Sequence, residues 1–366
     1  LSWFSAKSGY LKEMHDLPEA SPSKSCSDRR PAVGEIESIL LIRFKSIGDI
    51  LFTLPAVGVV RDNFPKARIT YLTSKENVPL IAGFREVDEV IGIDRSVFRR
   101  PNLKAMFVEA VSVLRRLRQK RFSLAVDFQG YGETAFMTWL SGAKSRWGSV
   151  YHRGRAWAYT RPVTREQRLH PADWNLSLLQ QCGLQCGPVR NEFVVPDEPS
   201  EEARRFFVSH GLDPAGTTLF IQPFTSSPNK NWPLENYLAL AANCRGRGMQ
   251  VVFGGGPADR AALAPARAGG FVVSAGAPLI VTAGLIKYCD PIVGGDTGLL
   301  HLAVAMNKRV VMLMRSAAKN RCHPYQHPEW VLYPPDDQNI CGIKPQMVID
   351  FCSRALAGKL EAAGAR

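Results

Sequence analysis

From Glu37 onward the chain alternates short runs of apolar or β-branched residues with longer stretches whose apolar positions recur at helical spacing. The first half reads "SILLIRF", a helix from about Asp49 to Asn63, "ARITYLT", "VDEVIGID", the helical "LKAMFVEAVSVLRRLRQ" and "FSLAVDFQG". That rhythm predicts βαβ units around a parallel sheet. Runs such as "ILLI" suit strands covered by helices on both faces, where alternation with polar residues is not required. Between Cys186 and Pro199 the pattern lapses into "CGPVRNEFVVPDEP", with three prolines and little helical periodicity, and the domain junction is expected there. The alternation then restarts with "TTLFIQPF", a helix from about Pro233, "MQVVFGG", a helix from about Ala258, "FVVSAG", a helix in "LIVTAGLIKYC", "DPIVGG", a helix from Thr297, and "RVVMLM".

The pattern therefore divides the 366 residues into four parts. A flexible extension over 1–36 precedes a Rossmann-like domain over 37–190 and a second over 191–344. The segment 345–366 carries a last helix, a candidate to pack back on the first domain. Such doubly wound domains place ligands at the carboxyl ends of their strands, so chemistry is expected in the strand-to-helix loops lining a cleft between them.

A hydrophobic content of 45% and a charged content of 22% fit a soluble globular protein, and no apolar segment approaches the roughly 20 residues that span a bilayer. The first 35 residues lack the features of a secretory signal. The eight cysteines form no pair of C-x-x-C knuckles and are expected as reduced cytosolic thiols. Charge changes the picture more. The stretch Arg95 to Arg168 holds 16 Lys and Arg against four acids, a net +12 out of +13 for the whole chain. Such a field suits nucleic acid, an anionic membrane surface or an acidic substrate, or is merely a solvated basic face.

Four loops carry candidate chemistry. In "KSIGDILFTLP" Gly48 permits a tight turn and Asp49 falls at or near a helix N-cap, where it either accepts backbone N–H groups or serves as a general base. Local sequence leaves both open. In "IQPFTSSPNKNWP" the hydroxyls of Thr225, Ser226 and Ser227 and the amine of Lys230 suit a phosphate, in a strand-to-helix loop that a bland surface turn would also resemble. "VVFGGGPADRAAL" is glycine-rich without being G-x-G-x-x-G, and Asp259 either reaches a ribose or favours the positive end of a helix. In "DPIVGGDTGLLHLAVAM" Asp296 is the expected N-cap, Thr297 and Gly298 offer a hydroxyl and an unhindered N–H at a helix start, and His301 projects from the same face as Thr297. No D-x-D-like acidic pair is placed to hold a divalent metal.

At these residues the sequence resembles glycosyltransferase family 9, the ADP-heptose:lipopolysaccharide heptosyltransferases. The resemblance runs from about Glu37 through "ILLIRFKSIGDILFTLPAVGVVRDNFPKARITYL", "VDFQG", "HPADWNLSLLQQCGL", "KNWP" and "GDTGLLHLAVAM". It implies an α/β GT-B architecture, with acceptor on the first domain and sugar nucleotide on the second. It further implies inverting transfer of a heptose or similar sugar from an ADP-sugar to an anionic inner-core acceptor, without metal or other cofactor. By resemblance Asp49 corresponds to the catalytic base, Lys230 to the lysine that holds the diphosphate, and Thr225 and Ser226 to the preceding hydroxyl pair. Asp296, Thr297, Gly298 and His301 match the loop and helix around sugar and phosphates, and Asp259 loosely matches a ribose ligand. The basic stretch then supplies acceptor contacts, with Arg99, Arg100, Arg146, Arg153 and Arg155 as candidates, and a loose hold on the cytoplasmic face of the inner membrane. The alternatives are a GT-B enzyme of another nucleotide sugar, transferase or epimerase, and a basic nucleic-acid-binding protein, for which no recognisable module is present.

Overall fold

The computed structural model describes residues 36–97, 103–151, 153–166, 168–316, 321–335 and 339–356. The extension over 1–35, Arg99 and Arg100 lie outside them, as does the side chain of Arg153.

The first half forms six strands: β1 (Ser38–Ile42), β2 (Arg68–Ser74), β3 (Glu89–Ile93), β4 (Leu124–Asp127), β5 (Ser145–Val150) and β6 (Arg161–Thr164). They lie in the order β3-β2-β1-β4-β5-β6 with every pairing parallel. The second half repeats this plan with β7 (Thr218–Gln222), β8 (Gln250–Gly255), β9 (Val272–Ala275), β10 (Ile292–Gly295), β11 (Val310–Leu313) and β12 (Val331–Leu332). Their order is β12-β11-β10-β7-β8-β9, again all parallel. Two doubly wound sheets thus occur in one chain, the GT-B arrangement. Ile39, Leu40, Leu41 and Ile42 of β1 are fully buried, because helices cover both faces.

Several expected elements differ in detail. The helix foreseen over Asp49 to Asn63 is two helices, Ile47–Leu51 and Leu54–Asn63. Pro55 explains the break, since it lacks the N–H that would continue the first ladder and fits the opening turn of the second. The helix from Ala258 is a short 3₁₀ turn, Pro257–Asp259, followed by Ala264–Ala268.

The chain crosses between the halves without regular structure from Leu184 to Pro196. Along it the Phe193 amide donates to Ala305 in the second half and the Val194 amide donates to Gly83 in the first. The last helix, Pro345–Leu356, does not return to the first domain: Val348, Ile349, Phe351 and Cys352 pack with Tyr237, Leu240 and Cys244 of the helix Leu234–Gly246. Arg309 completes its end, with Nη1 donating to the Ala355 carbonyl at 2.7 Å. That helix presents one apolar stripe, and the exposed side of the second sheet's own helix layer is where such a stripe finds a partner.

Candidate active site

The first wall of the cleft is built where β1 ends. Arg43 follows it directly, and its side chain is only 7% exposed. The guanidinium donates to the Lys45 carbonyl at 3.0 Å and the Phe128 carbonyl at 2.8 Å, and it meets Asp49 Oδ2 at 2.9 Å. Ser46, not Asp49, is the N-cap of Ile47–Leu51. Asp49 is the third helical residue and reaches back, its Oδ2 accepting from the Ser46 amide and hydroxyl, each at 3.1 Å. All three contacts fall on Oδ2, and one third of the side chain stays exposed. Burial raises the Asp49 pKa, but the Arg43 charge and the Ser46 bonds outweigh it and hold the carboxyl below its ordinary 3.8. Asp49 is therefore an anion at neutral pH, capping its own turn and facing outward at once.

The second wall is built where β10 ends. Thr297, not Asp296, is the N-cap of Gly298–Ala305, its hydroxyl accepting from the Leu300 amide at 3.4 Å. Asp296 is thereby released to bridge: Oδ2 accepts from Lys230 Nζ at 2.7 Å, and Oδ1 pairs with His301 Nε2 at 3.2 Å. Burial raises the Asp296 pKa, while His301 and Lys230 pull it down further, so this carboxyl too lies below its ordinary value. Lys230 keeps 44% of its side chain exposed and His301 only 4%. Thr225 organises the lysine's loop, its amide donating to Asn231 Oδ1 at 2.8 Å and its hydroxyl to the Ser227 carbonyl at 2.8 Å. Ser226 is exposed on the same loop.

The two walls touch. The Cβ that Gly298 lacks would stand 2.6 Å from Ile47 Cγ2 and 3.1 Å from the Gly48 nitrogen. Phe52 wedges between His301 at 4.6 Å and His170 at 4.8 Å between ring centroids. Asp49, Asp296, Thr297, Gly298, His301 and Lys230 are thus gathered at the junction of the two sheets' carboxyl ends.

Other expected residues fall differently. Asp259 sits in the loop after β8 and spends Oδ2 on the Gly256 amide at 2.7 Å, a cap of its own 3₁₀ turn. Arg155 donates to the Gly130 carbonyl at 2.9 Å, in the loop after β4, at the cleft edge. Arg146 does not join it. It is the second residue of β5, near the amino end of the strand, and donates to the Ala158 and Ala143 carbonyls at 2.8 Å each. Its guanidinium is spent on its own domain, at the end of the sheet remote from the cleft.

Sequence reasoning missed Arg43, Arg165 and His170. The Arg165 guanidinium lies over the rings of Tyr151 at 4.9 Å and Trp174 at 5.6 Å, and donates to the Tyr151 hydroxyl. Burial and the neighbouring Arg43 push its pKa down to about 10, with Asp49 among the nearby anions opposing the shift. His170 is driven by burial to about 3 and is neutral. Its Nε2 donates to the His323 carbonyl at 3.1 Å and its Nδ1 accepts from the Ala172 amide at 3.1 Å, which joins the domains through an uncharged ring. Among the described residues no cluster of three or more His, Cys, Asp or Glu could hold a metal ion. The seven cysteines there form no disulfide.

Comparison with known proteins bears on this arrangement. The model of glycosyltransferase family 9 (heptosyltransferase) matches residues 110–340. Lipopolysaccharide heptosyltransferase 3 of Escherichia coli is 24% identical over 282 residues, which cover 73% of this chain and 80% of that protein. Among solved structures, the glycosyl transferase family 9 protein of Veillonella parvula DSM 2008 superposes with a TM-score of 0.80 at 21% identity, covering 88% of this chain and 99% of that one. The E. coli ADP-heptose LPS heptosyltransferase II superposes with a TM-score of 0.73 at 21% identity over 88% of this chain and 100% of that one.

The Arg43–Asp49 pair generates a measurable expectation. Removing the cation that lowers the Asp49 pKa must raise it, so Arg43→Gln moves the carboxyl titration of Asp49 upward, as read by carbon-detected NMR. An unchanged or lower midpoint contradicts the assignment of Arg43 as the controlling charge.

Proposed function

The chain belongs to glycosyltransferase family 9, and from that premise we propose that this glycosyltransferase moves a heptose from an ADP-sugar to an anionic lipopolysaccharide inner-core acceptor, with inversion and without a metal. The observation that carries this reading is the pairing of walls: an ionised, outward-facing Asp49 on one, and Lys230 with the start of the Gly298–Ala305 helix on the other.

The bond from the anomeric carbon to the diphosphate oxygen breaks as the acceptor oxygen attacks from the opposite face. The leaving ADP gathers negative charge, which the Lys230 ammonium and the free N–H groups at the helix start are suited to meet. Asp296 aims the lysine by its 2.7 Å bond. The acceptor hydroxyl gives its proton to Asp49. Of the two cleft carboxylates, Asp296 has both oxygens engaged, by His301 and Lys230, whereas Asp49 has all its contacts on one oxygen. The base is therefore Asp49. Its lowered pKa lessens its basicity but guarantees that it is unprotonated when the acceptor arrives.

Thr225, Ser226 and Asp259 complete the proposed donor side, Thr225 by holding the loop and Ser226 by its exposed hydroxyl. On the acceptor side, Arg155 and Arg165 stand at the cleft and are suited to carboxylate or phosphate groups of an inner-core sugar. Arg99, Arg100 and Arg153 remain proposed partners of the same anion. No helix among the described residues is long and apolar enough to cross a membrane. Work at the cytoplasmic face of an anionic inner membrane is proposed from the charge of the first domain.

Two substitutions separate the roles. Asp49→Asn keeps affinity for the ADP-sugar and lowers the transfer rate by at least about 10², the scale of losing a general base; substantial activity would leave Asp49 as a cap. Lys230→Ala weakens ADP binding by roughly ten- to a hundredfold in Kd, the value of a charge-assisted bond. An unchanged Kd in calorimetry removes the lysine from the diphosphate site.

A further inference from the structure

Large side chains normally reach the surface singly, and contiguous exposed apolar patches mark interaction sites. The first domain carries such a patch on the flank of its helix layer, from the middle of the helix Gly132–Leu140 toward the edge opposite the cleft. Phe136 and Trp139 are each 46% exposed and Trp157 is 57% exposed. Their rings run on from one another, Phe136 to Trp139 and Trp139 to Trp157 at 6.0 Å each. Phe136 and Trp139 ride the helix Gly132–Leu140, which begins at the exit of β4, and Trp157 comes from the 3₁₀ segment Arg153–Ala158 packed against it. Between this patch and the site stand Tyr131 and Tyr151, 42% and 36% exposed with rings 5.6 Å apart, and Arg165 lies over Tyr151. The two aromatic groups thus lie on one domain, the tyrosines nearer the site and the tryptophans farther from it.

The charges around the patch are one-sided. The acid on the aromatic helix, Glu133, is paired with Arg95 at 2.8 Å. The helix Leu103–Gln119, which packs against Gly132–Leu140, exposes Phe107, Val108 and Val111 together with Lys104, Arg115, Arg116 and Arg118. Its acid, Glu109, accepts from the Asp94 amide at 2.9 Å. Exposed tryptophan and phenylalanine framed by exposed cations fit the headgroup zone of a bilayer, where amphipathic rings settle and basic side chains meet anionic lipid. A second copy of the chain is a poorer occupant, because closing this face on itself would bring two strongly positive segments together.

We propose that Phe136, Trp139 and Trp157, flanked by the basic face of Leu103–Gln119, dock the enzyme on an anionic phospholipid bilayer by the flank of its first domain. The proposal rests on the reading above that the acceptor is membrane-borne, and gives that reading a surface.

Co-sedimentation of the full chain with phosphatidylcholine vesicles, with and without phosphatidylglycerol, tests this with neither donor nor acceptor present. The wild type sediments with the anionic vesicles at low salt and is released by salt. The double variant Trp139→Ser/Trp157→Ser loses binding by at least about tenfold, and Arg115→Glu/Arg116→Glu loses chiefly the salt-sensitive part. Both keep the wild-type melting temperature, ADP-sugar affinity and transfer to a delipidated, water-soluble acceptor. Undiminished vesicle binding by the tryptophan variant overturns the proposal. So does a wild type that ignores vesicles but forms dimers which the tryptophan variant lacks in ultracentrifugation, because the face is then an interface between copies. Vesicle binding that survives a failure of heptose transfer in the wild type counts against the proposed reaction alone.

Discussion

The cleft depends on the close approach of two backbones at Gly48 and Gly298. A Cβ on Gly298 would stand 2.6 Å from Ile47 Cγ2, and a Cβ on Gly48 would stand 3.2 Å from His301 Cδ2. Only hydrogens let the two helix starts meet at this distance. The residue after Gly48 is Asp49 and the residue before Gly298 is Thr297, so contact between the glycines places one domain's carboxylate against the other's N-terminal amides. Parallel sheets put both helix starts at the same kind of edge, the carboxyl end of a strand, and the Phe52 ring between His170 and His301 fixes how the edges face.

Electrostatics then divides the labour. Two carboxylates meet at the cleft without sharing a proton, because each has its own cation: Arg43 for Asp49 and Lys230 for Asp296. Both are held below the ordinary carboxylate range, although burial works the other way. The cations differ in use. Arg43 is almost buried and tied to two carbonyls, which suits a fixed charge, whereas Lys230 stays half-exposed and able to meet a ligand. A diphosphate entering beside Lys230 would find positive charge held ready.

Much of this was legible in the sequence because it is local. Apolar runs gave nine of the strands, and the Gly-Asp and Asp-Thr-Gly loops named the two walls. The cap positions slipped by one to three residues, since Ser46 and Thr297 compete for the same role as Asp49 and Asp296 and a short hydroxyl takes it in both places. What sequence could not give is whatever depends on the third dimension. Arg43 bonds a carbonyl 85 residues away, and Arg165 comes under the charge of Asp49 only after six strands are laid in order. A count of charge along the chain is blind to strand direction, which is why Arg146 joined the acceptor candidates although it lies near the wrong end of β5. The last helix carries a clear apolar stripe, but a stripe names no partner, and its partner is the second domain.

Sugar transfer is proposed to take place between Asp49 on one domain and Lys230 with the Thr297 helix start on the other. A crystal structure with an unreactive ADP-sugar analogue tests it most directly. The diphosphate is expected against Lys230 Nζ and the Thr297–Gly298 amides, with the anomeric carbon open on its far side toward Asp49. A diphosphate lodged on the first sheet, or an anomeric carbon shielded from Asp49 by the second domain, would contradict it.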